Sequence, residues 1–518
     1  MSLYMLIAFS LLCAGLYYVC PRRLRWLLLL AASYGFYAVS GARALPFILL
    51  TTLSTWAGAL GVGRIGERSR EALRAGKGTL TPAEKKAMKA AAKGRQRVLL
   101  VLTLVLNFGV LAALKYSAPV LSLLGAQPLG WVLPLGISFY TFQSMGYLID
   151  VYSGKTAAER NPLRFALFVS FFPQLIQGPI GRYDQLAPQL LEPHEFDLTS
   201  VERGLLLMLW GFFKKKVIAD RALPLVSGVF DAPQGFGGAV TVLAVLAYSL
   251  QQYADFSGGI DLVTGIAELF GVRLAPNFRR PYFAVSLGDF WRRWHISLGA
   301  WMRDYVFYPF ALTRPVSRLS KAAKGVFGAD FARALPAALG NILVFLLVGL
   351  WHGATANYVL WGLYNGVILA VSALLEPAFR RFSERRAALV KSRGFHVLRV
   401  LRTFVIVNIG WYFDRCTRAA EAFSMLVRTA LDWRGAQLTL PLLAELGVSP
   451  RDLGILLLST ALLFSVSLAQ ERGAQVRAWL LSRPLALRWL LLLTFILFIL
   501  GTLVTGAAGA DSFMYAVF

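Results

Sequence analysis

Two of the four histidines in this 518-residue chain sit where imidazole chemistry is conceivable. His352 ends an almost wholly apolar run that begins at Asn341, between Trp351 and Gly353. An ionisable side chain at membrane depth costs several kcal/mol unless it faces a cavity or a partner, so it is a functional candidate by default. A neutral imidazole is also well suited to take a proton from a hydroxyl near neutral pH. The plain alternative is a core histidine bonded to a nearby carbonyl, which would be the favourite in a soluble protein. Here Gly349 and Gly353 permit close backbone approach, while Trp351, Trp361 and Asn365 supply a wall and an orienting partner.

His295 lies in the segment 290–310, which carries three Trp, three Arg and one Asp. On a helix, Trp291, His295 and Leu298 would share a face, with Trp294, Trp301 and Tyr305 close by. An interfacial aromatic belt with snorkelling arginines is the bland reading. The density is excessive for a belt and favours an aromatic cavity, with Arg292 and Arg293 placed to meet a phosphate or carboxylate. Upstream, Gln251, Gln252, Tyr253, Asp255, Ser257 and Asp261 interrupt an apolar region. They read equally as a loop or as a polar cavity lining in which Asp255 or Asp261 orients a histidine or an arginine. His194 and His396 read as solvated loop residues.

Other chemistries find little support. Cys13, Cys20 and Cys416 are scattered and odd in number, and no cluster has metal-ligand spacing, so no metal site is expected. Gly61-Val-Gly-Arg-Ile-Gly66 imitates a dinucleotide fingerprint, but it follows an apolar span and lacks the strand–turn–helix context. No nucleophile elbow and no phosphate-loop lysine occurs.

The elements that must position these residues are membrane helices. The chain is 57% hydrophobic and only 15% charged. Its repeated apolar runs, such as 98–114 and 489–504, have bilayer-spanning length and no barrel alternation. The fold expected is therefore an all-α polytopic membrane protein, a single domain over 1–518. The net charge of +26 sits in short loops between apolar runs, which is a positive-inside pattern and argues against nucleic acid. About eleven spans are expected, near 3–19, 27–37, 46–60, 98–114, 134–152, 238–254, the two arms of 336–375, 403–413, 453–469 and 489–505. Residues 1–20 read as a retained first helix. Re-entrant pieces are expected in 156–235, where Pro173, Pro179, Pro188 and Pro193 fall. Residues 64–97 carry eleven Lys/Arg against three Glu, which reads as a basic amphipathic helix pair interrupted at 76–82, a cytoplasmic insertion over 61–97. The alternation of basic and balanced loops puts the amino terminus outside. No internal repeat is evident, which weakens an inverted-repeat transporter.

Four motifs in order resemble one family: Pro134-Leu-Gly-Ile-Ser-Phe-Tyr-Thr-Phe-Gln143, Gln177-Gly-Pro-Ile180, Phe290 through Trp294-His-Ile-Ser-Leu298, and Trp351-His-Gly353 with Trp361-Gly and Asn365-Gly downstream. The chain is similar to the membrane-bound O-acyltransferases, in their bacterial branch of alginate O-acetylation and D-alanyl transfer. Residues 1–375 carry the likeness, and 134–375 would form the catalytic core. The resemblance implies a ring of tilted helices around a thin centre, with a cytoplasmic entry for the acyl donor and an outer funnel for the acceptor. It implies that His352 is the catalytic histidine and His295 the second one. The tail 512–518 matches the branch's aromatic ending only loosely.

From this follows an expected activity, acyl transfer across a bacterial inner membrane. The donor would be acetyl-CoA or an acyl-carrier thioester, with no tightly bound cofactor. The acceptor would be a polysaccharide, or a serine of a periplasmic acetyltransferase of the SGNH type. His352 would act as general base or as a transient acyl acceptor. His295 would orient acceptor or thioester, and Arg279, Arg280, Arg292 or Arg293 would meet donor phosphates. D-alanyl transfer to teichoic acid, a glycan-lipid flippase and a polyprenyl-phosphate glycosyltransferase are the competing readings; the last lacks clustered carboxylates.

Overall fold

The computed structural model describes residues 3–127, 133–433 and 437–504. Among them there is no strand. The tail 512–518 lies outside the described residues. The described chain falls into two compact units, the first of residues 3–205 with 263–275, the second of 206–262 with 276–504.

The first unit opens with α1 (Leu3–Val19), α2 (Arg25–Gly41), α3 (Leu45–Ala75) and α4 (Pro82–Leu123). It continues through α5 (Ile137–Ser153), α6 (Pro162–Ser170), α7 (Phe172–Gln177) and α8 (Tyr183–Leu191). The region of prolines is thus a series of short helices, as anticipated. The basic stretch is helical on both sides of an interruption at 76–81, close to the expected 76–82: α3 ends at Ala75 and α4 begins at Pro82, and both helices run on unbroken between their apolar stretches and the charged residues. Nothing in the junctions stops them, since no Pro and no φ-positive Gly intervenes. At 42 residues, α4 is about 63 Å long at 1.5 Å per residue, roughly twice a bilayer core. A capping box closes the turn: Glu84 N–H donates to Thr81 Oγ1 at 3.2 Å, and Thr81 N–H donates to the Glu84 carboxylate at 2.7 Å. Helix α5 begins directly after Pro134-Leu-Gly136. Gly136 has φ 68°, and a side chain there would strike the Leu175 carbonyl.

Between the units in sequence lie α9 (Leu198–Phe213) and α11 (Gly238–Leu269), each with residues in both. The second unit adds a π-helical turn (Lys214–Ala219), α10 (Asp220–Phe230), α12 (Leu287–Arg293) and α13 (Ile296–Met302). After α14 (Tyr308–Ala311) come α15 (Arg314–His352), α16 (Ala356–Leu374), α17 (Glu376–Arg385), α18 (Ala387–Lys391) and α19 (Arg393–Arg415). The chain ends on α20 (Ala419–Leu431), α21 (Leu440–Glu445), α22 (Pro450–Glu471), α23 (Val476–Leu481) and α24 (Leu485–Leu503). Phe213, Val217 and Ile218 pack with Leu456, Leu463 and Ile499 as one core cluster.

Each of the eleven expected spans overlaps a helix. Among the described residues, six helical runs have the length and hydropathy to cross a bilayer, and one of these, Arg22–Ala75, includes both α2 and α3.

The hairpin of α15 and α16 carries His352, and glycines set its closeness. A side chain at Gly349 would strike the Tyr358 carbonyl, and one at Gly362 the Phe345 carbonyl. Without a hydrophobic drive between helices in lipid, such small-residue contacts hold them together by packing. Gly362→Ala should therefore destabilise the protein by about 1–3 kcal/mol, the range for overpacking. Thermal unfolding of the purified protein checks this, with Gly15→Ala, where the added methyl meets nothing within 4 Å, as the neutral control.

Candidate active site

His352 is the last residue of α15 and is 7% exposed. Gly353 N–H bonds back to the Gly349 carbonyl at 3.2 Å and closes the helix. A side chain at 353 would lie 2.6 Å from the Tyr358 ring, so glycine lets that ring fold over the turn. Three rings surround the imidazole: Trp351 at 4.9 Å between centroids, Trp361 at 5.1 Å, and Tyr358 stacked at 5.8 Å. Trp361 meets Trp291 edge-on at 5.6 Å. Trp291 Nε1 donates to Asn365 Oδ1 at 3.2 Å, and Asn365 Nδ2 donates to the Trp361 carbonyl at 2.9 Å. The Asn365 amide thus orients the tryptophans that wall the histidine.

His295 is 4% exposed, and Trp351 links it to His352, its ring 6.2 Å from one imidazole and 4.9 Å from the other. The helix expected through it is broken. α12 ends at Arg293, α13 begins at Ile296, and His295 itself has φ 46°. Trp291, His295 and Leu298 therefore do not share one helical face. The cause is Asn277. Its carbonyl accepts from Ile296 N–H at 3.0 Å, and its Oδ1 accepts from Ser297 N–H at 3.0 Å and Ser297 Oγ at 2.9 Å. Arg279 N–H adds a bond to the Arg293 carbonyl at 2.9 Å. His295 Nδ1 lies 3.3 Å from the same Asn277 Oδ1. Because a backbone N–H can only donate, the Asn277 atom facing it is the oxygen, so His295 Nδ1 carries the proton and Nε2 is left as the basic nitrogen. Among the described residues only Arg280 and His295 have left-handed backbone without being glycine, at about 1–3 kcal/mol each. Trp294 is buried between Phe290, stacked at 5.5 Å, Phe278 at 5.0 Å and Trp411 at 5.6 Å.

The four arginines separate. Arg280 and Arg293 both meet Glu471, at 2.6 and 2.9 Å, and Arg293 also meets Asp289 at 3.1 Å. They fasten the site segment to α22. Arg279 is exposed; Arg292 is exposed too, with Asp289 at 3.6 Å. Asp255 and Asp261 face lysines of the π-turn. They meet Lys215 at 2.6 Å and Lys214 at 2.7 Å. Those lysines lie one π-turn along from α9, where spacing along α11 gives no hint of them. Gln252 Nε2 donates to Asp414 at 3.0 Å, as does the Tyr248 hydroxyl at 2.5 Å. Asn357 Nδ2 bonds the carbonyls of Phe413 and Cys416, at 3.1 and 2.8 Å, which ties Asp414 to the residue preceding Tyr358. His194 is half-buried, not solvated: its Nε2 meets the Gln189 carbonyl at 2.7 Å, and its own carbonyl takes Arg25. His396 is exposed.

Sequence reasoning missed Asn277, Lys214, Lys215 and Asp414. Asn277 stands between Pro276 and Phe278 and reads as a turn. Asp414 is followed by Arg415 at the end of a span and reads as a solvated charge.

Residues 158–393, which include both histidines, match the family described as MBOAT, membrane-bound O-acyltransferase. The chain is 35% identical to a probable alginate O-acetylase AlgI of Pseudomonas syringae pv. tomato, covering 77% of this chain and 69% of that protein. It belongs to the membrane-bound O-acyltransferase family. A peptidoglycan O-acetyltransferase of Helicobacter pylori is 31% identical, over 64% of each chain. A teichoic acid D-alanyltransferase of Bacillus subtilis is 28% identical, over 54% of this chain and 67% of that one. This O-acyltransferase is a multi-pass membrane protein, as its apolar helices require, and membership of an enzyme family replaces the flippase reading.

Asn277→Ala removes the acceptor for a buried backbone N–H, at about 1–3 kcal/mol, and releases His295. Acyl transfer should fall roughly a hundredfold, the scale of a misplacement of about 1 Å. Asn277→Asp, which keeps the oxygen, should recover much of it. Assay of both purified variants checks the order.

Proposed function

We propose that this O-acyltransferase passes an acetyl group from a cytoplasmic thioester, acetyl-CoA or an acyl-carrier thioester, to a hydroxyl on the far side of a bacterial inner membrane. The hydroxyl belongs to an exopolysaccharide, or to the serine of a periplasmic SGNH-type acetyltransferase that then acylates the polymer. The amino terminus faces outside, and the basic loops face the donor. The observation that carries the reading is the buried pair His295 and His352, joined by the Trp351 ring, in a chain with alginate O-acetylase relatives. Identity to the D-alanyl transfer protein is lower and covers less of the chain, so acetyl is preferred over D-alanyl.

In this mechanism the His352 imidazole takes the acceptor hydroxyl proton. The oxygen attacks the thioester carbonyl, the C–S bond breaks, and the thiolate leaves with the proton returned from the imidazole. General-base assistance of this kind is worth about a hundred- to ten-thousandfold. His295 Nε2, on the other side of Trp351, positions the acceptor or the thioester. Arg279 and Arg292, the two arginines not held by Glu471, are the ones that meet donor phosphates.

His352→Ala should abolish O-acetylation of the surface glycan while the protein still accumulates in the membrane. Mass spectrometry of glycan from wild-type and variant cells reads the acetyl groups directly. Unchanged acetylation in the variant would falsify the assignment; loss of alanyl rather than acetyl groups would shift it to D-alanyl transfer.

A further inference from the structure

The glycine run that imitates a dinucleotide fingerprint and the basic insertion meet in the first unit. Gly61, Gly63 and Gly66 lie on continuous helix in α3. A side chain at Gly63 would come within 2.9 Å of Ala158 Cβ, and one at Gly66 within 2.9 Å of Gln96 Nε2. Beside these bare positions is a cavity of about 410 Å³. It opens where α3 and α4 pass from apolar to charged sequence, and the end of α5 with the loop after it forms its third wall. That volume falls within the range of small-molecule sites.

The lining is basic and partly preset. Arg70, Lys89 and Lys93 contribute three cations, and Glu67 is the one carboxylate. Glu67 has Arg160 at 3.7 Å. Lys93 is fixed in place: its Nζ donates to the Tyr152 carbonyl at 2.8 Å and lies 3.4 Å from the Tyr152 ring centroid. A cation already held by backbone and ring loses little side-chain freedom on binding. Ser69 and Thr156 add hydroxyls to the wall. Basic pockets between membrane helices at their charged ends fit phosphate headgroups.

We propose that this cavity binds a phosphate group at the membrane surface, carried by an anionic phospholipid headgroup or by a soluble phosphate compound. The site shares no residue with the histidine site and stands whether or not the proposed acetyl transfer does.

The test is calorimetric titration of the purified full chain in neutral detergent. The probes are short-chain phosphatidylglycerol, short-chain phosphatidylcholine and inorganic pyrophosphate. Phosphatidylglycerol should bind saturably, and its affinity should fall at least tenfold in the double variant R70Q/K89Q and again in Lys93→Gln. The exposed control R380Q/R385Q should bind as wild type. Pyrophosphate binding with the same variant sensitivity identifies the phosphate itself as sufficient; binding of the lipid alone identifies the headgroup as the ligand. Equal binding of phosphatidylcholine, wild-type affinity in R70Q/K89Q, or an equal loss in the control would each overturn the proposal. The variants carry exposed side chains, and matching melting curves verify that they remain folded.

Discussion

Lipid offers a buried charge no water, so a charge buried in this chain calls for a partner inside the protein. The second unit is organised by that demand. Lys214 and Lys215 are 3% and 4% exposed, yet each ends on carboxylates: Asp261 for the first, Asp255 and Asp220 for the second. Arg221 reaches Asp452 at 2.8 Å and the Thr502 carbonyl at 2.8 Å. The π-turn is thereby bound to α10 and α11, and α10 in turn to α22 and α24. Removing one partner of such a pair leaves an uncompensated buried charge, at about 3–5 kcal/mol. The pairs consequently fix the rotation of α11. With that rotation set, Tyr248 and Gln252, four residues apart on one face, both reach Asp414.

The same demand explains why the histidine hairpin is built from glycines. An imidazole at membrane depth needs a wall on all sides, and a wall requires the two helices to touch. Gly349 and Gly362 remove the side chains that would hold α15 and α16 apart, and Gly353 lets Tyr358 fold over the turn. The backbone after His352 is extended, with Gly353 at φ −179°, so glycine is required there for space and not for its torsion. Asn357 then bonds both carbonyls flanking the Asp414 turn and anchors the loop on α19.

The helices were legible because apolar runs of bilayer length have few alternatives. His352 stands out because a titratable group in such a run is conspicuous, and His295 because of the Trp and Arg density around it. What escaped was everything that depends on a partner distant in sequence. Asn277 breaks the helix at His295 from 18 positions away, and local periodicity carries no trace of it. Glu471 claims two arginines from nearly two hundred residues downstream, which removes them from the set of loose cations that sequence alone suggests. Composition marks where α3 and α4 pass from apolar to charged sequence and where they are interrupted, but nothing in it says that each helix runs through the change without a break.

The strained backbone at His295 gains its meaning from these supports. A left-handed conformation in a histidine persists only where neighbours over-determine it, and here Asn277, Ser297 and the Phe256 ring at 4.9 Å do so. The result is an imidazole whose protonated Nδ1 is held by the Asn277 amide oxygen at 3.3 Å. Around His352 the rings of Trp351, Trp361 and Tyr358 close in at 4.9, 5.1 and 5.8 Å. Aromatic walls of this kind keep bulk water away from a buried imidazole. Asp414 is tied to Tyr248 and Gln252 and joined to the histidine loop through Asn357, which holds the loop in place.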